Sequence, residues 1–261
     1  MHPGDITLVT ARPHDIDADG WAMLYELLDG QEQERAARLV HEEDRNAYVL
    51  ARALRRCLIA SELRVSAPSL RFTQTAQGAP VLIGAPPGLH FSHSHCRSAV
   101  ACAVTRATPV GVDVERTGAA RPEDLERFVS APWAAGSGSA ADAPQPTATH
   151  LWTALEAFWK AKGTGLSEAN PRISFRPTAP DAAVLLLEQD DAPVAGTASW
   201  PAAFDDCVLS VALLGARTNS IIHTHCRTAL EIKQLGSGNP YANAGAAINI
   251  AASARWGDIK Q

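Results

Sequence analysis

Residues 151–166, LWTALEAFWKAKGTGL, restrict the possible folds of this chain more than any other stretch. Leu151, Leu155, Phe158 and Trp159 recur at helical spacing, so most of such a helix faces a core. Gly163-Thr164-Gly165 then stops it. Glu156 and Lys160 are four residues apart and share one face. A surface ion pair would explain them on an amphipathic helix. The aromatic residues around them favour burial instead, and buried charges need partners such as a metal or a phosphate.

Upstream, residues 111–116 read GVDVER. On a strand, Asp113 and Glu115 leave the same face, while Val110, Val112 and Val114 fill the other. Gly111 permits close approach of a backbone or a ligand. Taken alone, the pair also fits the solvent face of an edge strand. Three acids on two rigid elements, with Lys160 beside the third, suit a hard divalent cation and a phosphate.

A chain of 261 residues can bury a sizeable core in one or two domains. A net charge of −5 gives no global reason to expect nucleic acid. The five cysteines (57, 96, 102, 207, 226) are odd in number and scattered. They read as buried or free thiols, which favours a reducing compartment. The first residues lack a basic segment followed by an apolar core, and no apolar run is long enough to span a bilayer. A cytoplasmic protein without a membrane anchor is the expectation.

Local pattern predicts a strand at 5–10, helices at 17–28, 31–40 and 44–63, and strands at 69–74, 80–83, 89–93, 98–105 and 109–115. A helix at 121–130 follows, with Leu125 and Phe128 inward. Residues 131–149, rich in Ala, Gly, Ser and Pro, read as a flexible loop. After the central helix come strands near 172–176, 182–188, 196–200 and 207–213. The order suggests two α/β halves of similar build, 1–105 and 106–220. Residues 221–261 carry no readable motif and are expected to form a loosely attached tail.

FSHSHC at 91–96 admits two readings. Ser92 and His93 could donate to a phosphate. His93, His95 and Cys96 could bind zinc, as could His223, His225 and Cys226, but neither spacing fits a common zinc pattern. Arg45, Arg52 and Arg56 recur at helical spacing, which suits a solvated face unless a phosphate-rich ligand is present. There is no Walker loop, no GxGxxG and no nucleophile elbow.

Together these motifs resemble the 4′-phosphopantetheinyl transferases, in particular their larger monomeric branch. The family strand, Gly-hydrophobic-Asp-hydrophobic-Glu, is matched by Gly111-Val112-Asp113-Val114-Glu115. The family helix, Trp-(Ser/Thr)-x-Lys-Glu-(Ala/Ser)-x-x-Lys-x-x-Gly-x-Gly, is matched from Trp152-Thr153 through Glu156, Lys160, Gly163 and Gly165. Ser92-His93-Ser94 resembles the family's Ser-His-Ser stretch. The resemblance implies an α/β pseudo-dimer whose halves enclose coenzyme A. It implies Mg²⁺ (or Mn²⁺) held by Asp113, Glu115 and Glu156, with Lys160 neutralising phosphate charge and Glu156 assisting deprotonation. It implies that His93 and Arg35, with Ser92 nearby and Arg52 as a further candidate, hold the nucleotide's 3′-phosphate. The implied partner is an acyl or peptidyl carrier protein, docking near 131–149 on a monomeric enzyme. Two positions depart from the pattern: Leu155 replaces a lysine, and Gly78-Ala79-Pro80 replaces Gly-Lys-Pro. Each removes a cation expected near the coenzyme's phosphates, so a weakened or non-catalytic relative is the alternative.

Overall fold

The computed structural model describes residues 6–106, 108–131, 145–179, 181–187, 195–215, 222–226 and 231–233. In the first half, β1 (Ile6–Ala11) is followed by helices α1 (Ala18–Tyr25), α2 (Gly30–Ala37) and α3 (Glu42–Leu63). A small hairpin of β2 (Phe72–Gln74) and β3 (Pro80–Leu82) leads into β4 (His90–His95) and β5 (Val100–Thr105). In the second half come β6 (Val110–Arg116), α4 (Pro122–Leu125), β7 (Val129–Ala131) and α5 (Ala148–Lys162). The strands β8 (Ile173–Ala179), β9 (Ala182–Leu187), β10 (Gly196–Ser199) and β11 (Cys207–Leu214) complete it. One last strand, β12 (Ile222–Cys226), returns to the first half.

Two sheets organise these elements. One runs β12-β1-β5-β4 and the other β6-β11-β10-β9-β8-β7. Strand alternation decides how they stack. Ile6 and Leu8 of β1, with Ala101 and Ala103 of β5, face Val110, Val112 and Val114 of β6 and Leu209 and Val211 of β11. These residues form one apolar layer between the sheets. Val9, Ala11, Val100, Cys102 and Val104 point outward onto α1–α3. On the far side, Val208 and Ala212 pack with Leu155, Phe158 and Trp159 of α5. The result is four layers, helices–sheet–sheet–helix, in which β1, β5, β6 and β11 are buried on both faces.

The helices have identifiable ends. Asp17 caps α1, accepting a hydrogen bond from the Gly20 N–H at 2.7 Å. Asp29 and Glu32 cap α2 reciprocally, each accepting from the other's backbone N–H. Both of these carboxylates also bind α3: Glu32 accepts from Arg55 at 2.5 Å and from Arg56 at 2.6 Å, and Asp29 pairs with Arg56. Arg56 is fully buried, so this network fixes the second and third helices to one another. Glu42, Glu43 and Asp44 occupy the positive end of α3.

The pseudo-dimeric α/β architecture expected from the sequence is the one observed, with unequal halves. Three local expectations are corrected. The helix expected over 121–130 is a single turn, Pro122–Leu125. The chain then turns into β7, where the Phe128 carbonyl accepts from Ile173 N–H at 2.8 Å and Val129 joins the sheet edge. Leu125 is buried as expected. The loop of 131–149 ends early, because α5 already begins at Ala148; residues 132–144 lie outside the described residues. The segment from 221 onward is more than a loose tail. Its β12 pairs in parallel with β1, from Ile6–Ile222 to Thr10–Cys226, and Ile232 is fully buried in the first half's core. Residues 234–261 lie outside the described residues.

Candidate active site

Gly111 sets the geometry of the site. A Cβ built there would lie 1.7 Å from the Ala157 carbonyl oxygen of α5. Only glycine lets the helix backbone rest directly on β6. Two residues further along the same face of β6 comes Asp113, and then Glu115. One turn of α5 carries Glu156 and Lys160 past them. The close approach anticipated at Gly111 is therefore an approach of backbone, and it brings the acids and the lysine together.

Asp113 is 3% exposed. Its Oδ1 accepts from Lys160 Nζ at 2.5 Å and from Ser94 Oγ at 2.8 Å. Lys160 also reaches Ser94 Oγ at 3.1 Å. The lysine thus pairs with Asp113 across two elements, not with Glu156 along its own helix. The other oxygen, Oδ2, is buried and takes no hydrogen bond from any described residue. Burial, then the charge of Asp113, raises the carboxyl pKa of Glu115, with Lys160 opposing and Glu156 adding to the rise. Glu156 is raised in the same way, first by burial and then by Asp113. Two raised carboxyls, Glu115 and Glu156, beside an unpaired buried carboxylate oxygen suit a cation. As the side chains stand, no group of three His, Cys, Asp or Glu among the described residues is close enough to hold a metal ion. Lys160 sits where such an ion would neutralise Asp113.

Beside this cluster lies a cleft of about 1270 Å³ at the junction of the two halves. Its wall comes from α2 and α3, the β2–β3 hairpin, the end of β4 and the end of β6. Arg35, Arg52, Arg55, Arg97 and Arg116 line it with Asp29, Glu32 and Asp44, Arg55 being paired to Glu32 and Arg97 to Asp44, and Glu115 connects it to the acids. Arg52 lies over the Tyr48 ring, 4.7 Å from its centroid.

Of the residues singled out in the sequence, Arg35, Arg52 and Glu115 are on the cleft wall, and Asp113, Glu156 and Lys160 meet beside it. Ser92 and His93 do not reach the cleft. Ser92 Oγ accepts from the Val112 N–H at 3.0 Å, tying β4 to β6. His93 is half-buried behind the wall, and its Nε2 accepts from Arg52. Burial and then Arg52 hold its pKa well below the ordinary value, so the ring is neutral and its proton is on Nδ1. That Nδ1 has no partner among the described residues. His95, two residues on and on the same strand face, is the histidine that lines the cleft. Strand alternation alone leaves 93 and 95 equivalent; how far each sits from the open end of β4 separates them. No zinc cluster forms at 93–96, and the side chains of 223–226 lie outside the described residues.

The departure at Leu155 also has a structural meaning. Leu155 is fully buried in the core beneath α5, so it leaves no gap among the cleft cations. Ala79 is half-buried at the hairpin turn, beside the cleft residue Pro80.

The fold and site define a two-halved α/β protein in which paired acids and a lysine flank a basic cleft, an arrangement suited to a phosphorylated ligand. Residues 15–107 match the family described as 4′-phosphopantetheinyl transferase, N-terminal, and residues 109–211 match the 4′-phosphopantetheinyl transferase superfamily. The chain belongs to the 4′-phosphopantetheinyl transferase superfamily. It is 30% identical over 147 residues to 4′-phosphopantetheinyl transferase Sfp of Bacillus subtilis (strain 168), covering 56% of this chain and 65% of the relative. It is 29% identical over 187 residues to 4′-phosphopantetheinyl transferase HetI of Nostoc sp., covering 66% and 78%. It is 25% identical over 168 residues to the L-aminoadipate-semialdehyde dehydrogenase-phosphopantetheinyl transferase of Mus musculus, covering 59% and 54%. The chain therefore spans just under two thirds of the length of the Sfp relative. Among the described residues, no helix is long and apolar enough to cross a membrane.

Proposed function

We propose that this protein transfers the 4′-phosphopantetheine group of coenzyme A to a serine of an acyl or peptidyl carrier protein, releasing 3′,5′-ADP. The observation that carries this reading is the meeting of Asp113, Glu115, Glu156 and Lys160 beside a basic cleft between the two halves. The carrier's serine oxygen attacks the β-phosphorus, and the pyrophosphate P–O bond breaks towards the nucleotide.

Arg35, Arg52 and His95 are placed to receive the nucleotide's phosphates, with Ser92 and His93 acting from behind the wall. His93 holds Arg52 in position, and Ser92 holds β4 against β6. Lys160 supplies positive charge to the phosphoryl oxygens as the bond breaks. Glu156, its pKa raised by burial and then by Asp113, is the carboxylate suited to take the serine proton. Asp113, Glu115 and Glu156 would hold Mg²⁺ or Mn²⁺, and the unpaired Asp113 Oδ2 supports that assignment. The ion, when bound, supplies charge neutralisation at the pyrophosphate. We assign the protein to the cytoplasm, as a monomer without nucleic-acid or membrane partners.

A second reading, a non-catalytic relative that binds coenzyme A or a carrier, is favoured by Ala79 and by the Lys160–Asp113 pair. The test incubates purified apo carrier proteins with this protein, coenzyme A and Mg²⁺, beside a Glu156→Ala sample. The expected result is a mass gain of one phosphopantetheine on the carrier, lost in the variant. Coenzyme A binding without mass gain on any carrier would select the second reading.

A further inference from the structure

We propose that Cys96 and Cys207 form a redox modification site, at which an oxidant of the disulfide class converts them into a disulfide that staples the two halves together at the edge of the cleft. Their sulfurs are 3.8 Å apart. Cys96 directly follows β4, is half-buried and lines the cleft. Cys207 opens β11 in the other sheet and is 6% exposed. Among the described residues no strand of one sheet pairs with a strand of the other, so a covalent bond here would add a link of a kind those residues lack.

Both backbones are held. Cys96 N–H donates to the Ala99 carbonyl at 3.0 Å, closing the β4–β5 hairpin, and Cys207 pairs in register with Arg116 of β6. Beside Cys207, Arg12 of the first half pairs with Asp206 of the second at 2.8 Å, pinning the same edge. A disulfide needs the sulfurs at about 2.05 Å. The remaining gap is about 1.8 Å. The other described thiols, Cys57 and Cys102, are fully buried in the first half's core and out of reach of solvent.

The two sulfurs have different roles. Cys96 is the one that solvent reaches, so it is the entry point. Its thiolate attacks one sulfur of a small disulfide such as oxidised glutathione. That S–S bond breaks, one glutathione leaves as thiolate, and Cys96 carries the other as a mixed disulfide. Cys207 then loses its proton to solvent, and its sulfur attacks Cys96 Sγ, expelling the second glutathione. Two protein thiols are oxidised and one glutathione disulfide is reduced to two thiols. Burial is the largest of the causes that raise the Cys207 thiol, and it persists when Cys96 carries glutathione, so this second step accelerates as pH rises. Because Cys96 lies between His95 and Arg97, the bond also fixes a stretch of cleft wall.

The inference rests on this geometry and not on the proposed transferase activity. It is tested on the folded full-length chain in graded mixtures of reduced and oxidised glutathione, quenched by alkylation and mapped by peptide mass spectrometry. Wild type is expected to yield a Cys96–Cys207 linked peptide, and its unfolding temperature to rise by about 5 °C or more on oxidation. Cys207→Ser is expected to stop at a Cys96–glutathione adduct, and Cys96→Ser to give neither product. Reduced melting temperatures of both variants confirm that they fold. The proposal is overturned if wild type keeps the Cys96 adduct with Cys207 still free. It is equally overturned if Cys96 links to another cysteine, or if the linked peptide forms only in urea.

Discussion

Replacing Gly111 with alanine tests the central claim, that helix backbone rests directly on the acidic strand. The new Cβ would lie 1.7 Å from the Ala157 oxygen, 2.7 Å from its carbonyl carbon and 2.8 Å from the Ala161 nitrogen. Packed Cβ atoms do not approach closer than 3.0 Å, so α5 must retreat by about 1.3 Å or more. All three clashing atoms are backbone, so no side chain can turn aside to relieve the strain. Overpacking of this kind costs about 1–3 kcal/mol. For a chain of this size that lowers the melting temperature by roughly 2–12 °C. The retreat also carries Lys160 away from Asp113 and Glu156 away from Glu115. Misplacement of about 1 Å at a reacting centre costs about 100-fold in rate. Thermal unfolding reads the first effect, and the rate of phosphopantetheine loading onto an apo carrier reads the second. Unchanged melting and unchanged rate in Gly111→Ala would refute the argument. Lowered melting with an unchanged rate would refute only its catalytic half.

Leu155→Lys is expected to destabilise the protein by at least about 2 kcal/mol, because it puts a charge into the core under α5, and to give no gain in transfer; denaturant unfolding checks it. Ala79→Lys, at the half-buried hairpin turn, is expected to leave stability within about 0.5 kcal/mol and to tighten coenzyme A binding up to about tenfold, measured by calorimetry. His93 and His95 are both shifted below the ordinary histidine pKa, His95 to about 4, first by desolvation in the packed wall and then by Arg52, although the His95 side chain is exposed at the cleft. The unfolded chain takes up these protons first, so their stability contribution is present above pH ~6.5 and is lost as pH falls toward 4. A His95→Gln variant should therefore show a shallower loss of stability over that window in urea titrations at stepped pH. Truncation after residue 215 removes β12 and the buried Ile232 and exposes the edge of β1. A lower melting temperature and concentration-dependent association in light scattering are expected.

The acid strand and the Glu156–Lys160 helix were legible because their information is local. A period of two places Asp113 and Glu115 on one face, a period near four places Glu156 beside Lys160, and Gly111 marks a close approach. The helix expected at 121–130 failed for a non-local reason. Its second half pairs with β8, a segment that lies beyond α5 in the sequence. Position 155 reads in the family pattern as a missing cation, yet Leu155 is fully buried in the core, because motif position does not say which flank of a helix faces inward. His93 is marked by the Ser92-His93-Ser94 match and shares a strand face with His95, which lines the cleft; depth below a surface is set by what packs above it and leaves no local signal.

The sequence by itself determined which residue types meet, through strand and helix periodicity and through the one glycine that admits a helix backbone. Only the tertiary structure decided which partner each charge takes. Lys160 turned to Asp113 because β6 passes closer to it than its own helix neighbour allows, and burial makes that pairing matter. The return of β12 to β1 and the meeting of Cys96 with Cys207 were likewise decided in three dimensions. Contacts between residues more than a hundred positions apart leave no period in the sequence to read.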